Sequence, residues 1–424
     1  MMNFKRILAF VLSLCMILTL APVSTAAFAT ENEPAGNAEN LVFEQLSGDD
    51  VDVKLPQKDM GDDSLVLERP IADDEIVKVL IIMEGLSVVE SDSSATLNSG
   101  SDAIIAELEE EQAEVVEQIE QDVLEGEALQ ISYNYTWLLN GIAADVPYGS
   151  IQEILAVDGV KQVLIQPVYE VCETAQPNTV TDGVMVGRES TWAAGYTGEG
   201  MKIAIIDTGL DTDHPNFAPL SDEVAVTATP DSVAAVLADL NATASYGELA
   251  IGDVYYSTKV AYGFNYVDNN LNITHDFDDR GDHGTHVAGI AAANKVEASG
   301  VVGVAPNAQL YVMKVFGANG GAYTEDILAA LEDALLLGAD VVNMSLGSPA
   351  GFTTASDEIM AIYNRVAETN TVLSVSAGNN YTAGYDNAWG IDKNLVGTGE
   401  RFASVDEFFK RALYLYMYTT SYLL

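Results

Sequence analysis

The second half of the chain contains four short apolar runs that are separated by segments of helical length. The runs are "KIAIID", "QLYVMKVF", "VVNM" and "TVLSVS". Strands that are apolar along their whole length are typical of a parallel sheet that helices cover on both faces. Between two of these runs, residues 324–340 have the apolar spacing of a helix, with Thr324 as its predicted N-cap. From about residue 180 onward, the sequence therefore predicts an α/β domain with a parallel sheet and helices on both faces.

A smaller unit is predicted before this domain, over residues 76–172. It begins with the strand-like run "IVKVLIIM", which is followed by an acidic amphipathic helix at 102–126. Two alternating strands then flank a predicted turn at Asn140-Gly141, and a short helix begins near Ser150 before one final strand. The element order β-α-β-β-α-β predicts a small α+β domain.

Residues 1–29 have the features of a secretory signal peptide. A basic pair precedes the apolar segment 7–20, and small residues at Ala27 and Ala29 favour cleavage after Ala29. The apolar segment is too short for a membrane-spanning helix, so we expect no transmembrane segment once the signal is removed. Residues 30–75 are acidic and irregular, and we interpret them as a linker.

The charge of the chain excludes some partners. Its formal net charge is −46, from 64 acidic and 18 basic residues. Nucleic acids and anionic membranes present phosphates, which need Lys and Arg, so neither is an expected partner. Cys15 leaves with the signal peptide and Cys172 is then alone, which rules out a disulfide within the mature chain. An acidic, exported chain without disulfides is typical of a bacterial exterior, and we expect it to be secreted or held at the cell envelope.

Polar residues follow the predicted strands at the carboxyl end of the sheet, where reacting groups collect in open parallel sheets. These residues are Asp207, Ser345 and Asn379, and His283 opens a predicted helix. An aspartate that orients an imidazole, an imidazole that accepts a proton, and an amide that donates to an oxyanion together support acyl transfer. A helix N-terminus disfavours the imidazolium, which helps to keep His283 neutral.

A metal site is the alternative for the same histidines. His283 and His286 are three residues apart, and acidic residues precede them. A zincin helix needs two histidines four apart with a glutamate between them, and neither feature is present. We therefore assign no metal, and we expect His286 to be a core histidine that is satisfied by hydrogen bonds.

Five segments, in this order, resemble the successive sequence blocks of the subtilisin-like serine proteases. They are "IAIIDTGLDTDHPNF", "DDRGDHGTHVAGIAA", "GVAPNAQLYVMKVF", "VVNMSLGS" and "SVSAGN". Residues 180–395 thus resemble the N-terminal part of that catalytic domain. Residues 76–172 resemble the inhibitory propeptides of the family, and "NGIAADVPYGSIQEILAVDGVKQVLIQPVYE" is especially similar to the propeptides of lactocepin-like cell-envelope proteinases.

The resemblance implies a role for individual residues. Asp207 matches the triad aspartate, His283 the triad base and Asn379 the oxyanion-hole amide. Ser345, Leu346 and Gly347 match the extended edge that pairs with the substrate backbone. The implied partners are a polypeptide substrate and the chain's own propeptide, which would be cut near residues 172–180.

One block of the family is absent. The family's nucleophile lies in a G-T-S-M-A block, and the serines after Asn379, Ser404 and Ser421, do not follow Gly-Thr. Residues 396–424 are an atypical aromatic tail that resembles no family block. We expect the chain as written to be a C-terminally truncated or frame-shifted product without peptidase activity, because triad chemistry needs the serine.

Two further hypotheses stay open beside the protease precursor. One is a non-catalytic peptide-binding or inhibitor-like homologue, and the other is a metallohydrolase that uses His283 and His286. The resemblance raises calcium as a bound ion, and the acidic loops 268–272 and 276–282 are the candidates. No ligand spacing in either loop is specific, so no cofactor is assigned.

Overall fold

The structure is a computed structural model, and it describes residues 71–92, 99–171, 183, 186–274, 282–296, 300–317, 321–347 and 355–376. The chain separates into two units, Met1–Glu68 and Arg69–Leu424, and every described residue belongs to the second. The predicted signal peptide, most of the linker, Cys172, Asn379 and the tail lie outside the described residues, as does the loop 276–281. The proposed domain boundaries stay predictions.

The N-terminal part of this unit is an antiparallel sheet with helices on one face. Its strands lie in the order Gln130–Tyr135, Gly141–Pro147, Ile76–Met83 and Val160–Ile165. Val115 and Ile119, from the long helix and the π turn that follows it, pack in one cluster with Ile81 and Ile142 of the sheet. The observed elements follow the predicted α+β order. They are β1 (Ile76–Met83), α1 (Val88–Ser91), α2 (Ser99–Gln118) with a π turn at Ile119–Val123, β2 (Gln130–Tyr135), β3 (Gly141–Pro147), α3 (Ile151–Ile154), β4 (Val160–Ile165) and β5 (Val168–Val171).

The C-terminal part is built on a five-stranded parallel sheet in the order β12-β10-β6-β8-β7. This confirms the predicted α/β fold class. Its elements are α4 (Arg188–Ala193), β6 (Lys202–Asp207), a 3-10 turn (Pro215–Phe217), α5 (Pro230–Ala234), α6 (Asn241–Tyr246), α7 (Ile251–Val254), β7 (Val260–Asn265), α8 (His283–Ala292), β8 (Gln309–Lys314), β9 (Ala322–Tyr323), α9 (Thr324–Leu336), β10 (Val341–Met344), β11 (Leu346–Gly347), α10 (Ala355–Glu368) and β12 (Val372–Val375).

Helices cover both faces of the parallel sheet, as the apolar strands predicted. On one face, Ile203 and Ile205 of β6 pack in the same cluster as Ala288 and Ala292 of α8. On the other face, Ala204 and Ile206 join a cluster that includes residues of α9 and α10. Successive side chains of a strand point to opposite faces, so β6 is buried on both sides and anchors the sheet.

The two sheets share one hydrophobic core. The face of the N-terminal sheet that turns away from α2 places Leu80, Tyr133 and Tyr135 in the same cluster as Ile327 and Leu331 of α9. Tyr135 is fully buried, and its hydroxyl donates to the Glu325 carbonyl oxygen at 2.9 Å. The N-terminal part therefore packs directly on α9.

Three sequence predictions were wrong in detail, and one strand was not predicted. The turn predicted at Asn140-Gly141 is a longer connection that ends before Gly141, because Gly141 already pairs with Ile82 and Tyr135. The helix predicted to be capped by Thr324 has Tyr323 at its N-cap. The strand β7 was missed, and the single final strand is two strands, β4 and β5, which break at Pro167.

Candidate active site

The site centres on an aspartate and a histidine from neighbouring elements. Asp207 is the last residue of β6 and is 1% exposed, and His283 is the first residue of α8 and is 7% exposed. His283 Nδ1 lies 2.7 Å from Asp207 Oδ1. Because a carboxylate accepts, Nδ1 donates, and this fixes the tautomer in which Nε2 carries the basic lone pair. The structure thus brings together the two residues predicted to act as orienting acid and base.

Backbone and hydroxyl groups hold this pair in place. The Thr208 N–H donates to Asp207 Oδ1 at 2.7 Å, and the Gly284 N–H donates to Thr208 Oγ1 at 2.9 Å. A Cβ on Gly284 would come within 2.9 Å of the Gly209 nitrogen, so glycine allows the first turn of α8 to approach β6. Buried Lys314 donates from Nζ to the Thr208 carbonyl oxygen at 2.6 Å. Motif reasoning missed Lys314, although it lies opposite Asp207 in the β6–β8 pairing.

His286 corrects the prediction of a hydrogen-bonded core histidine. Within the described part of the chain, neither of its ring nitrogens has a hydrogen-bond partner. Burial lowers the pKa of His286, and the neighbouring His283 lowers it further. Among the described residues, no group of three or more His, Cys, Asp or Glu side chains could hold a metal ion.

Ser345, Leu346 and Gly347 lie next to this pair, and their edge is occupied. β10 is parallel to β6 with Met344 opposite Ile206, so Ser345 follows at the level of Asp207. Leu346 and Gly347 form β11, which pairs antiparallel with Val171 and Glu170 of β5. A segment of the N-terminal part therefore fills the edge that the resemblance assigns to the substrate.

β5 also pairs on its other side, so it is the centre of a three-stranded sheet in the order β11-β5-β9. Val168 lies opposite Tyr323 and Tyr169 opposite Ala322. Tyr169 is 4% exposed, whereas Val168 is 45% exposed. A Cβ on Gly321, just before β9, would overlap the Tyr169 carbonyl oxygen. The groove between β9 and β11 thus holds an extended strand by its backbone and by one aromatic side chain.

The described calcium candidate does not fit a cation. In the loop 268–272, the Asn265 side-chain nitrogen donates to Asp268 Oδ2 at 3.0 Å, to Asn270 Oδ1 at 3.3 Å and to the Asn272 carbonyl oxygen at 2.9 Å. An amide donor therefore takes the place among these oxygens that a cation would need. Most of the second candidate loop, and the predicted oxyanion residue Asn379, lie outside the described residues.

Comparison with known proteins points to one family. Residues 198–397 match the model of the subtilase family, peptidase S8. The chain is 37% identical over 273 residues to a PII-type proteinase of Lactococcus lactis subsp. cremoris, covering 62% of this chain and 13% of that proteinase. It is 31% identical over 235 residues to the minor extracellular protease Vpr of Bacillus subtilis, covering 52% of this chain and 24% of Vpr. The chain thus spans a small part of the length of these relatives.

A solved structure is also similar to this chain. It is fervidolysin of Fervidobacterium pennivorans, described as a keratinolytic enzyme related to subtilisin, with a TM-score of 0.45 and 17% identity over 75% of this chain and 41% of that one. Within the residues that the structure describes, no helix is long and apolar enough to span a membrane.

Proposed function

Because residues 198–397 match the model of the subtilase family, we propose that the chain belongs to an exported serine endopeptidase precursor. The observation that carries this proposal is the 2.7 Å contact between Asp207 and His283, beside a peptide-binding edge at Leu346 and Gly347. The reaction is peptide-bond hydrolysis through an acyl-enzyme.

Each group has a defined part in that reaction. His283 Nε2 accepts the proton of the attacking serine and later returns it to the leaving amine. Asp207 holds the imidazole and stabilises the imidazolium that forms. Asn379 donates to the oxyanion of the tetrahedral intermediate, and such a donor lowers the barrier by about 3 kcal/mol. The Leu346–Gly347 edge binds the substrate backbone as an added strand.

The N-terminal part acts as the inhibitory propeptide in this proposal. The support is β5, which lies antiparallel to β11 and β9 as an extended peptide does in strand addition. While β5 is paired there, a substrate cannot use the same main-chain groups. The similarity to an extracellular protease supports export.

The chain of 424 residues is proposed to be inactive by itself. No G-T-S-M-A block occurs in it, so His283 has no serine to activate. A non-catalytic peptide-binding protein is the second candidate function, and the observation that favours it is the groove between β9 and β11, which holds β5 as an extended strand.

The test begins with the gene. A G-T-S-M-A block in any reading frame downstream of Leu424 supports the endopeptidase, and its absence supports the binding protein. The 424-residue chain is expected to show no labelling by a fluorophosphonate reagent and no casein hydrolysis. A chain extended through the block is expected to hydrolyse casein, and His283→Ala is expected to reduce its kcat at least about a thousandfold.

Two results would overturn the proposal. One is casein hydrolysis by the 424-residue chain, if a serine reagent inhibits that hydrolysis. The other is hydrolysis by the extended chain that survives His283→Ala. Gly252→Ala is the control, because Gly252 is exposed on α7 and a Cβ there would meet nothing within 4 Å.

A further inference from the structure

Helix α9 buries four carboxylates at the place where the N-terminal part packs. Glu325, Asp326, Glu332 and Asp333 are 4%, 5%, 2% and 0% exposed. In the described part of the chain, Lys78 is the cation within ion-pair distance of this group, with Nζ 2.7 Å from Glu325 Oε1. Buried carboxylates without cations favour the protonated form, because the charge loses its hydration.

Three of these carboxylates bond directly to the N-terminal part. Glu325 pairs with Lys78 of β1, and its Oε2 accepts from the Gln166 side-chain nitrogen at 3.1 Å. Glu332 Oε1 accepts from the Trp137 N–H at 3.0 Å and from the Leu138 N–H at 2.6 Å. Asp326 Oδ1 accepts from the Tyr133 hydroxyl at 3.4 Å. We call these contacts the α9 interface. Residues of the N-terminal part contribute to the burial of α9, because Tyr133 and Tyr135 pack in the same cluster as Ile327 and Leu331.

The charged groups that face Asp326 are mostly acidic. Glu325, its neighbour on α9, and Asp268 from the loop after β7 raise its pKa, while Lys78 from β1 lowers it. Tyr133 from β2 also lowers it by donating a hydrogen bond. Burial is the largest effect, and the sum raises the pKa of Asp326 to about 8.

Glu332 has a different set of neighbours with the same outcome. Burial raises its pKa to about 8, although the Leu138 and Trp137 N–H groups and the Asn241 side chain of α6 oppose that rise. Asp333 raises it further. Asp333 itself bonds to Asn241 and Ala242 of α6 and to Tyr266, all within the C-terminal part.

The sign follows from these directions. When the N-terminal part is docked, Asp326 and Glu332 hold protons up to about pH 8. When it is undocked and the carboxylates meet water, they return towards their ordinary pKa values of 3.8 and 4.5. The docked state therefore binds more protons. Its stabilisation is fully present below pH 4 and is lost progressively as pH rises through about 8.

We propose that the α9 interface is a proton-sensitive latch, in which protonated Asp326 and Glu332 keep the N-terminal part docked and their ionisation releases it. A further ion pair between the N-terminal and C-terminal parts joins Arg365 of α10 to Glu90 of α1 at 2.6 Å. This latch rests on the proposed role of β5 as the segment that blocks the groove. It makes acid conditions hold the precursor closed and neutral to alkaline conditions open it.

Hydrogen exchange of the full chain at pH 5, 6 and 7 tests the latch. Protection factors, which correct each amide for its intrinsic rate, are measured for peptides that contain Trp137–Leu138 and β5. The two carboxylates predict a fall of about a hundredfold per pH unit, since each of the two protons released on undocking contributes one factor of ten. In the double variant Asp326→Asn/Glu332→Gln, the fall is expected to be less than about threefold per unit.

Controls separate the latch from general stability. Amides of β8 report global unfolding. Their protection factors are expected to differ between wild type and the double variant by the same factor at each pH. Glu110→Gln removes an exposed acid on α2 and is expected to leave the pH dependence of wild type unchanged. If the double variant does not fold, Glu332→Gln alone is expected to reduce the slope.

The outcomes distinguish this latch from the proposed function. If β5 is protected but its protection factor does not change with pH, or if wild type and the carboxamide variants have the same slope, the latch is wrong. If β5 is unprotected at every pH, it does not occupy the groove, and the proposed blocking role is wrong as well.

Discussion

Gly321→Ala is expected to push β5 out of the groove between β9 and β11. The new Cβ would overlap the Tyr169 carbonyl oxygen and would come within 2.5 Å of Val168 Cγ1. The carbonyl belongs to the backbone of β5 and cannot turn away as a flexible side chain would. Relief therefore requires β5 to shift away from its pairing with Ala322 and Tyr323.

The size of the effect follows from the cost of such overpacking. Forcing one methyl group into a packed site costs about 2 kcal/mol. Each 1.4 kcal/mol changes an equilibrium about tenfold, so the opening equilibrium of β5 should rise roughly 30-fold. Burial of Tyr169 opposes full release, and this contribution is about 2 kcal/mol for a buried aromatic side chain. We therefore expect β5 to open more often while the remainder of the fold persists.

Hydrogen exchange with mass spectrometry measures this directly. Amides of Val168–Val171 are expected to lose protection about 30-fold at constant pH, while those of β8 keep theirs. Gly252→Ala again serves as the control, because it adds a methyl group in open space. A change below about threefold in β5, or an equal loss across β8, would falsify the inference that Gly321 lets β5 into the groove.

Two other predictions concern the neighbouring contacts. Arg365→Ala removes the donors to Glu90 Oε1 at 2.6 Å and to the Leu138 carbonyl oxygen at 2.7 Å, and should lower the free energy of unfolding in urea by about 2 kcal/mol; a loss below about 0.5 kcal/mol would show that water replaces these bonds. Elemental analysis of the purified chain should find no stoichiometric zinc, because His283 Nδ1 already donates to Asp207. Stoichiometric zinc that is lost in the His286→Ala variant would instead support the metallohydrolase hypothesis.

The fold class was accessible from the sequence because the apolar runs predicted parallel strands, and the ends of such strands meet at one edge of the sheet. Asp207 ends one of these strands, whereas His283 opens a helix, and the roles of both rested on the resemblance of their sequence blocks to the subtilisin-like proteases. The strand β7 was missed because Lys259 precedes it and Gly263 interrupts it. In the structure Lys259 is buried and donates to the carbonyl oxygens of Pro306 and Ala308, which no local pattern reveals.

The surroundings of α9 depend on contacts that are distant in sequence. Glu325 and Asp326 have the composition of a favourable first turn, which is normally solvated. Here the Glu325 N–H donates to Gln166 Oε1 at 2.9 Å, so the N-terminal part supplies a partner for the first turn of α9. Whether such carboxylates are exposed or buried is decided by the packing of another sheet, and sequence spacing carries no information on that packing.

The break at Gln166 and Pro167 ties two sheets together through a very short tether. β4 ends at Ile165 in the N-terminal sheet and β5 begins at Val168 in the groove between β9 and β11. A segment of two residues spans about 7 Å at most, so β5 cannot diffuse away while β4 stays paired. Its effective concentration at the groove is therefore at least on the order of millimolar. A free peptide that binds the same groove competes against that local concentration. Dilution of the protein does not lower the effective concentration of β5 and so does not favour the free peptide.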